Sequence, residues 1–313
     1  MALRLFQKKD KTINFTITDE AIRFVELRQS MVERFGERQL PEGIIVRGDL
    51  VKSDELQDIL NNVVDEWKLK NRHVRFTIPD RFVAIKEEKV DRDLTLDEIK
   101  NFFFMQIGST IHLPFEEPVF DVVVTGYEEN KQSVLLVAAP EQVVEEYSRL
   151  FEHARLKPAA ADIAPLALYR LFHSHGNTNE NAHELLIQLE KNVMTLSIFH
   201  QHRLKFIKPV FIEKNEDILE FEDISGSGDL ADALSEIEKV VNFYENSVHS
   251  GQVKIDRVLF TGHHSQRPFV EGFIKQSFDI PIQTDESITM DTKQNEWLPP
   301  AFYTAAGLAL KDG

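Results

Sequence analysis

Apolar and polar residues alternate along Ile13–Leu27, break at Thr18, Asp19 and Glu20, and then resume. The same strand, polar turn and strand return at Leu185–Phe199, broken at Glu190 and Lys191. A period of two predicts strands, and the two breaks predict hairpins. A similar hairpin opening each half predicts two related domains facing each other. Between them, Arg28 to Glu42 is a polar stretch, followed by the apolar Ile44–Val46. Leu56, Ile59, Leu60, Val63, Val64 and Trp67 form one stripe, which predicts a helix over Ser53–Trp67 with Ser53 as its cap. His73–Ile78 alternates as a strand that Pro79 stops.

The middle of the chain reads as a small strand, helix, strand, strand, helix unit. Its strands are Phe82–Lys86, Phe120–Tyr127 and Ser133–Ala139; its helices are Thr95–Ile111 and Glu141–Glu152. Thr95 and Glu98 have the spacing of a capping box. Leu156–Ile163 reads as a strand and Pro165–His173 as a helix, with a domain boundary in the polar stretch His173–His183. In the second half, Arg203–Phe211 continues the hairpin as a strand. Glu213–Asp229 reads as an acidic loop, Leu230–Val248 as a long helix and Ile255–Thr261 as a buried strand. A helix over Pro268–Phe278, a short strand at Ile280–Ile282 and a closing helix over Pro300–Leu310 complete the pattern.

Composition narrows the function. The 313 residues suit two domains, and a hydrophobic content of 42% supports a substantial core. A net charge of −16 argues against nucleic acid, whose binding needs a concentrated basic surface. There are no cysteines, which excludes disulfides, thiolate metal sites and cysteine catalysis. No stretch is long and apolar enough to span a bilayer. Met1–Lys9 pairs a few apolar residues with basic ones but lacks the core of a secretory signal. It reads as a frayed tail, with contact to an anionic membrane surface as the alternative.

The two hairpin turns carry the chemical argument. A turn holds phosphate through bare backbone N–H groups, which usually requires glycine with serine or threonine. Here the turns offer Asp19-Glu20 and Glu190-Lys191, with no glycine. A carboxylate fixed beside a phosphate is repulsive. The residues therefore describe a nucleotide-type scaffold turned into a binding protein.

Other groups receive plain readings. His173, His175, His200, His202, His263 and His264 match no zinc spacing and are expected on loops or the surface. Arg47-Gly48-Asp49 is a turn. No serine sits in a nucleophile elbow. The pairs Glu87-Glu88, Glu116-Glu117 and Glu128-Glu129 are solvated surface. Ser225–Gly228 is a loop and not a phosphate cradle. The run Phe102, Phe103, Phe104 is expected on a helix buried over most of its circumference between two layers. The functional alternative is a hydrophobic groove for a partner peptide.

The order of these parts resembles the actin-like ATPase superfamily and, within it, the PilM family of type IV pilus assembly proteins, relatives of the cell-division protein FtsA. The resemblance is carried by Ile22–Leu27, Ile111–Asp121, Val134–Ala139, Leu156–Ala167, Val240–Tyr244 and Pro300–Leu310. It implies an α/β fold of the actin-like, ribonuclease H-like kind with a small inserted α/β subdomain. The implied domains are 1–80 with 151–180 and 300–313, the inserted 81–150, and 183–299.

The family's nucleotide motifs are degenerate here. The first Asp-x-Gly pattern falls on Thr16 and Thr18, and its hydroxyl positions on Asp19, Glu20 and Ala21. The second falls on Gln188 and Glu190. Of the adenosine-contacting glycine run only Gly262 remains, followed by His263 and His264. With neutral residues at both positions where the family's aspartates organise the metal, phosphoryl transfer loses its positioning and electrostatic parts. The expectation is no catalysis, no cofactor and no metal.

The resemblance further implies a scaffold at the inner face of the cell membrane. It would be recruited by the cytoplasmic tail of a PilN-like bitopic membrane protein, received in a groove beside the inserted subdomain. Phe102, Phe103 and Phe104 are the candidate contacts, and a homo-oligomer is compatible with the sequence. The alternatives are an ATP-binding ATPase with an unusual cleft and an FtsA-like membrane-associated filament protein.

Overall fold

The computed structural model describes residues 12–28, 31–212 and 227–311. Strands β1 (Ile13–Ile17), β2 (Ala21–Arg28) and β3 (Met31–Gln39) form an antiparallel meander. The small hairpin of β4 (Ile45–Val46) and β5 (Asp49–Leu50) precedes helix α1 (Ser53–Glu66) and strand β6 (His73–Ile78). Then come β7 (Ala84–Asp91), α2 (Leu96–Gln106), β8 (Pro118–Tyr127), β9 (Lys131–Pro140) and α3 (Glu141–His153). β10 (Lys157–Ile163) and α4 (Ala164–Ser174) lead to a second meander, β11 (Glu184–Leu189), β12 (Val193–His200) and β13 (Arg203–Phe211). The chain closes with α5 (Ser227–Asn242), β14 (Arg257–Gly262), α6 (Arg267–Ser277), β15 (Ile282–Thr284) and α7 (Tyr303–Ala309).

The chain divides into two compact units. Of the described residues, one holds those up to Pro79, Glu145–Leu171 and those from Ile288; the other holds those of Asp80–Val144 and Phe172–Ser287. The sequence reading gave 145–150 to the inserted subdomain and 288–299 to the second domain; here both lie with the first unit. Local bonds explain this: the Tyr147 hydroxyl donates to Gly48 O at 3.0 Å, and Gln57 Nε2 donates to Leu150 O at 3.1 Å. Lys293 N donates to Val32 O at 2.9 Å.

In the first unit the sheet order is β10-β6-β1-β2-β3. Register places Phe15 opposite both Phe24 and Phe76, so all three share a face. Phe151 and Trp67 complete an aromatic cluster with centroid separations of 4.8–6.5 Å. Each buried ring contributes roughly 1.5–3 kcal/mol through removal of apolar surface from water. Helices α7 and α4 touch at backbone level. A Cβ on Gly307 would lie 1.9 Å from Ala167 O.

In the second unit the large sheet has the order β13-β12-β11-β14-β15, which repeats the first strand for strand. Leu185, Ile187, Leu189, Met194, Leu196 and Ile198 point to one face, packing on Leu234 and Ile237 of α5 and Ile274 of α6. The same unit carries a three-stranded sheet, β7-β9-β8, whose Val90, Val122, Val134 and Leu136 pack against Ile99 and Phe103 of α2.

Several sequence expectations need correction. The polar stretch Arg28 to Glu42 contains β3, a sheet-edge strand whose charges pair with neighbours: Glu37 with Arg23, and Arg34 with Glu26. Ser53 is the first helical residue, not the cap. Lys52 holds that position, and no side chain caps it. The expected helix Thr95–Ile111 stops at Gln106, because Ile107 is extended (ψ 131°) and Gly108 turns with φ +85°. Its start is as expected, with Thr95 N donating to Glu98 Oε2 at 2.8 Å and Glu98 N to Thr95 Oγ1 at 3.4 Å. The Thr95 N–H, and after it the Thr95 hydroxyl, hold the Glu98 carboxyl below its ordinary pKa by donating to it. Ser227 and Gly228, read as loop, open α5, while 213–226 lie outside the described residues. The strand expected at Ile280–Ile282 runs over Ile282–Thr284, since Pro281 has no N–H for a ladder.

Candidate functional site

The first hairpin turn, between β1 and β2, is closed from within. Thr18 N donates to Ala21 O at 3.0 Å. The Thr18 hydroxyl accepts from Glu20 N at 3.3 Å and from Ala21 N at 3.2 Å. A threonine oxygen thus occupies N–H groups that a glycine turn would offer to a phosphate. Thr16 is buried in β1, opposite Arg23, with 3% of its surface exposed.

Asp19 is held by a second turn. Its carboxylate accepts Arg47 N at 2.5 Å and Gly48 N at 2.9 Å. Those residues are the two central positions of the β4–β5 hairpin, with φ of +51° and +82°. Two left-handed residues in succession are the signature of a type I′ turn. Arg47-Gly48-Asp49 is therefore the turn read from sequence, and its N–H groups serve as an anchor for Asp19. Charge-assisted bonds of this kind are about twice as strong as neutral ones.

The second hairpin turn, between β11 and β12, is closed by Glu190 N donating to Val193 O at 2.9 Å. Its side chains form the remaining links. Gln188 Nε2 donates to Glu190 Oε1 at 3.0 Å, and His263 Nδ1 lies 2.6 Å from Glu190 Oε2. His263 reaches this position because β14 runs parallel to β11 with Gly262 opposite Leu189. Gly262 has φ +120°, and a Cβ there would lie 2.1 Å from Leu189 O. The surviving glycine of the adenosine-contacting run is thus fixed by backbone packing.

Beyond Gly262, Arg267 ties together the ends of β14 and β15. It donates from Nη1 to Gly262 O at 3.1 Å and from Nε to Glu271 Oε1 at 2.8 Å, and pairs with Asp285 at 2.6 Å. Thr261 Oγ1 donates to Asp285 Oδ2 at 2.7 Å. Burial opposes the Arg267 charge, but its bonds to Asp285 and Glu271 outweigh that and leave its pKa raised. Sequence reasoning missed Arg267 and Asp285 because they gain meaning only from strand neighbours 24 residues apart.

The sequence matches the family of type IV pilus assembly proteins PilM over residues 15–210. The chain belongs to the PilM family. The fold is the actin-like one. A solved structure described as the PilM-PilN type IV pilus biogenesis complex is similar over 96% of this chain and 98% of that chain, with TM-score 0.77 and 17% identity. The ethanolamine utilization protein EutJ from Carboxydothermus hydrogenoformans is similar over 95% of this chain and 89% of that chain, with TM-score 0.52 and 10% identity. MreB5 of Spiroplasma citri, solved bound to ADP, is similar over 96% and 95%, with TM-score 0.51 and 9% identity. Among the described residues no helix is long and apolar enough to cross a membrane.

The phenylalanine run of this PilM-family chain splits apart on α2. Phe103 is fully buried, Phe102 packs edge-on against it at 5.6 Å, and Phe104 is 76% exposed beside the equally open Met105. The helix therefore buries one side only, and the expected two-layer sandwich is corrected. With one sheet beneath it, α2 leaves Phe104 and Met105 in solvent, so Phe103 is a core residue. The histidines are also distributed. His173 and His202 meet edge-on at 4.6 Å, His264 Nδ1 accepts Gln266 N at 3.0 Å, and His183 stacks on His200 at 3.8 Å.

Proposed function

We propose that this chain is a non-catalytic assembly protein of a type IV pilus or pilus-like machine. It binds the cytoplasmic tail of a PilN-like inner-membrane protein and is held at the inner face of the membrane through that partner. The observation that carries the reading is the Thr18 hydroxyl, which takes the N–H groups of Glu20 and Ala21. Asp19 and Glu190 reinforce it, each placing a carboxylate where the family pattern has glycine or hydroxyl positions. Phosphoryl transfer depends on positioned N–H groups and a metal between phosphates. Neutral Thr16 and Gln188 supply no carboxylate for that metal. Membership of the PilM family and the likeness to the chain solved with PilN support the choice of partner.

Titration of the chain with a synthetic peptide of a PilN-like tail tests the partner. Saturable binding that a scrambled peptide lacks is the expected result; equal behaviour of both peptides refutes it. The competing reading is an ATP-binding protein with an unusual cleft. It requires the melting temperature to rise with MgATP by mass action. The FtsA-like filament alternative depends on Met1–Lys9, which lies outside the described residues. It requires liposome sedimentation that disappears when this segment is deleted.

A further inference from the structure

One corner of the second unit concentrates titratable rings that the proposed function does not use. His183, just before β11, and His200, at the end of β12, lie face to face, with centroids 3.8 Å apart and planes 5° apart. His183 Nδ1 is 2.8 Å from the Tyr244 hydroxyl. Tyr244 sits in a π-helical turn, Phe243–Val248, that continues α5. His249 ends that turn, 4.7 Å from Tyr244 and 5.8 Å from His183. π-Helical turns are rare and occur often at functional sites.

The charged groups around the stack come from three further places and from the turn itself. Asp256, before β14, accepts His183 N at 2.7 Å. Lys205 of β13 and Glu87 of β7 pair at 2.8 Å beside Tyr244. On the turn itself, Glu245 holds Ile255 N at 2.9 Å and Lys254 at 2.6 Å. Burial and Glu87 push the Tyr244 phenol up to about 12, so it keeps its proton and can donate to a neutral imidazole.

Two imidazolium rings cannot share a face-to-face contact this close, so the stack tolerates at most one charge. We propose that the His183–His200 stack is a proton-sensitive clasp. In its neutral form it pins the Phe243–Val248 turn to the start of the β11–β12 hairpin, and protonation releases that turn. Burial first, then His200, lowers the His183 pKa; Asp256 opposes this, and His249 and Lys205 add to it. The folded chain therefore binds fewer protons than the unfolded chain in acid. The contribution is complete above about pH 6.5 and is lost as pH falls through the depressed native value.

The test is imidazole NMR with backbone amide exchange on the full chain, from about pH 8 to about pH 5. His183 is expected to titrate below the ordinary histidine range. Exchange of the Phe243–Val248 amides, corrected for intrinsic rate, is expected to speed up roughly tenfold in acid, while the middle of α5 stays protected. His200→Gln should raise the His183 titration point and blunt the acid response, and His249→Gln should do so more weakly. An unchanged His183 titration in His200→Gln would overturn the clasp. So would exchange in the turn that rises no faster than in α5.

Discussion

Each hairpin turn is closed by one backbone bond, but the side chains of the β1–β2 turn accept from backbone N–H groups, whereas those of the β11–β12 turn bond to other side chains. Thr18 and Asp19 satisfy N–H groups of their own turn and of the β4–β5 turn. Glu190 instead meets the Gln188 amide and the His263 imidazole. The sheets repeat the same strand order, so the positions correspond while the chemistry does not. On the proposed reading, in which neither turn holds a phosphate, a turn can be closed in more than one way because nothing selects for glycine there.

The largest expected effects come from two glycines packed against backbone, one in each unit. Gly262→Ala meets Leu189 O at 2.1 Å and a left-handed φ of +120°; Gly307→Ala meets Ala167 O at 1.9 Å. Each should lose at least about 3 kcal/mol in urea unfolding, because backbone is what blocks the new methyl. Gly272→Ala in α6, with nothing within 4 Å, should instead be neutral or gain up to about 1 kcal/mol. A similar loss at all three positions would break the close-packing account.

Asp19→Ala comes next. It removes two charge-assisted bonds to Arg47 and Gly48 and should cost about 2 kcal/mol. Glu190→Gln, where the partners are side chains that can rearrange, should cost about 1 kcal/mol or less. The reverse order would mean that the second turn is the more rigidly closed. Thr18→Val keeps the shape but removes the hydroxyl, with an expected loss of about 1 kcal/mol. The smallest effect is on α2: Phe104→Ser should change stability by no more than about 0.5 kcal/mol, whereas any partner affinity it carries would fall.

Much of the fold was legible because buried alternation is a local signal. β11 and β12 are mostly apolar and buried nearly throughout, and the capping box declares itself within the four residues Thr95–Glu98. β3 was hidden because its own charges break the apolar alternation, and Glu37 looks like loop until Arg23 is known to lie across from it. The degenerate turns were visible in the residues themselves, but the partner of Asp19 lies 28 residues away in sequence. The histidine stack had a signal that went unread. Glu184 pairs with Phe199, so the next position outward sets His183 against His200. The fate of Phe104 depended on whether one layer or two cover α2, which periodicity does not report.

The most direct measurement is calorimetric titration of the full chain with MgATP. With Thr18, Asp19 and Glu190 bonded as they are, heats should not exceed dilution at nucleotide concentrations on the order of 1 mM. Saturable binding with a Kd on the order of 1 μM, lost on chelating Mg2+, would contradict the account.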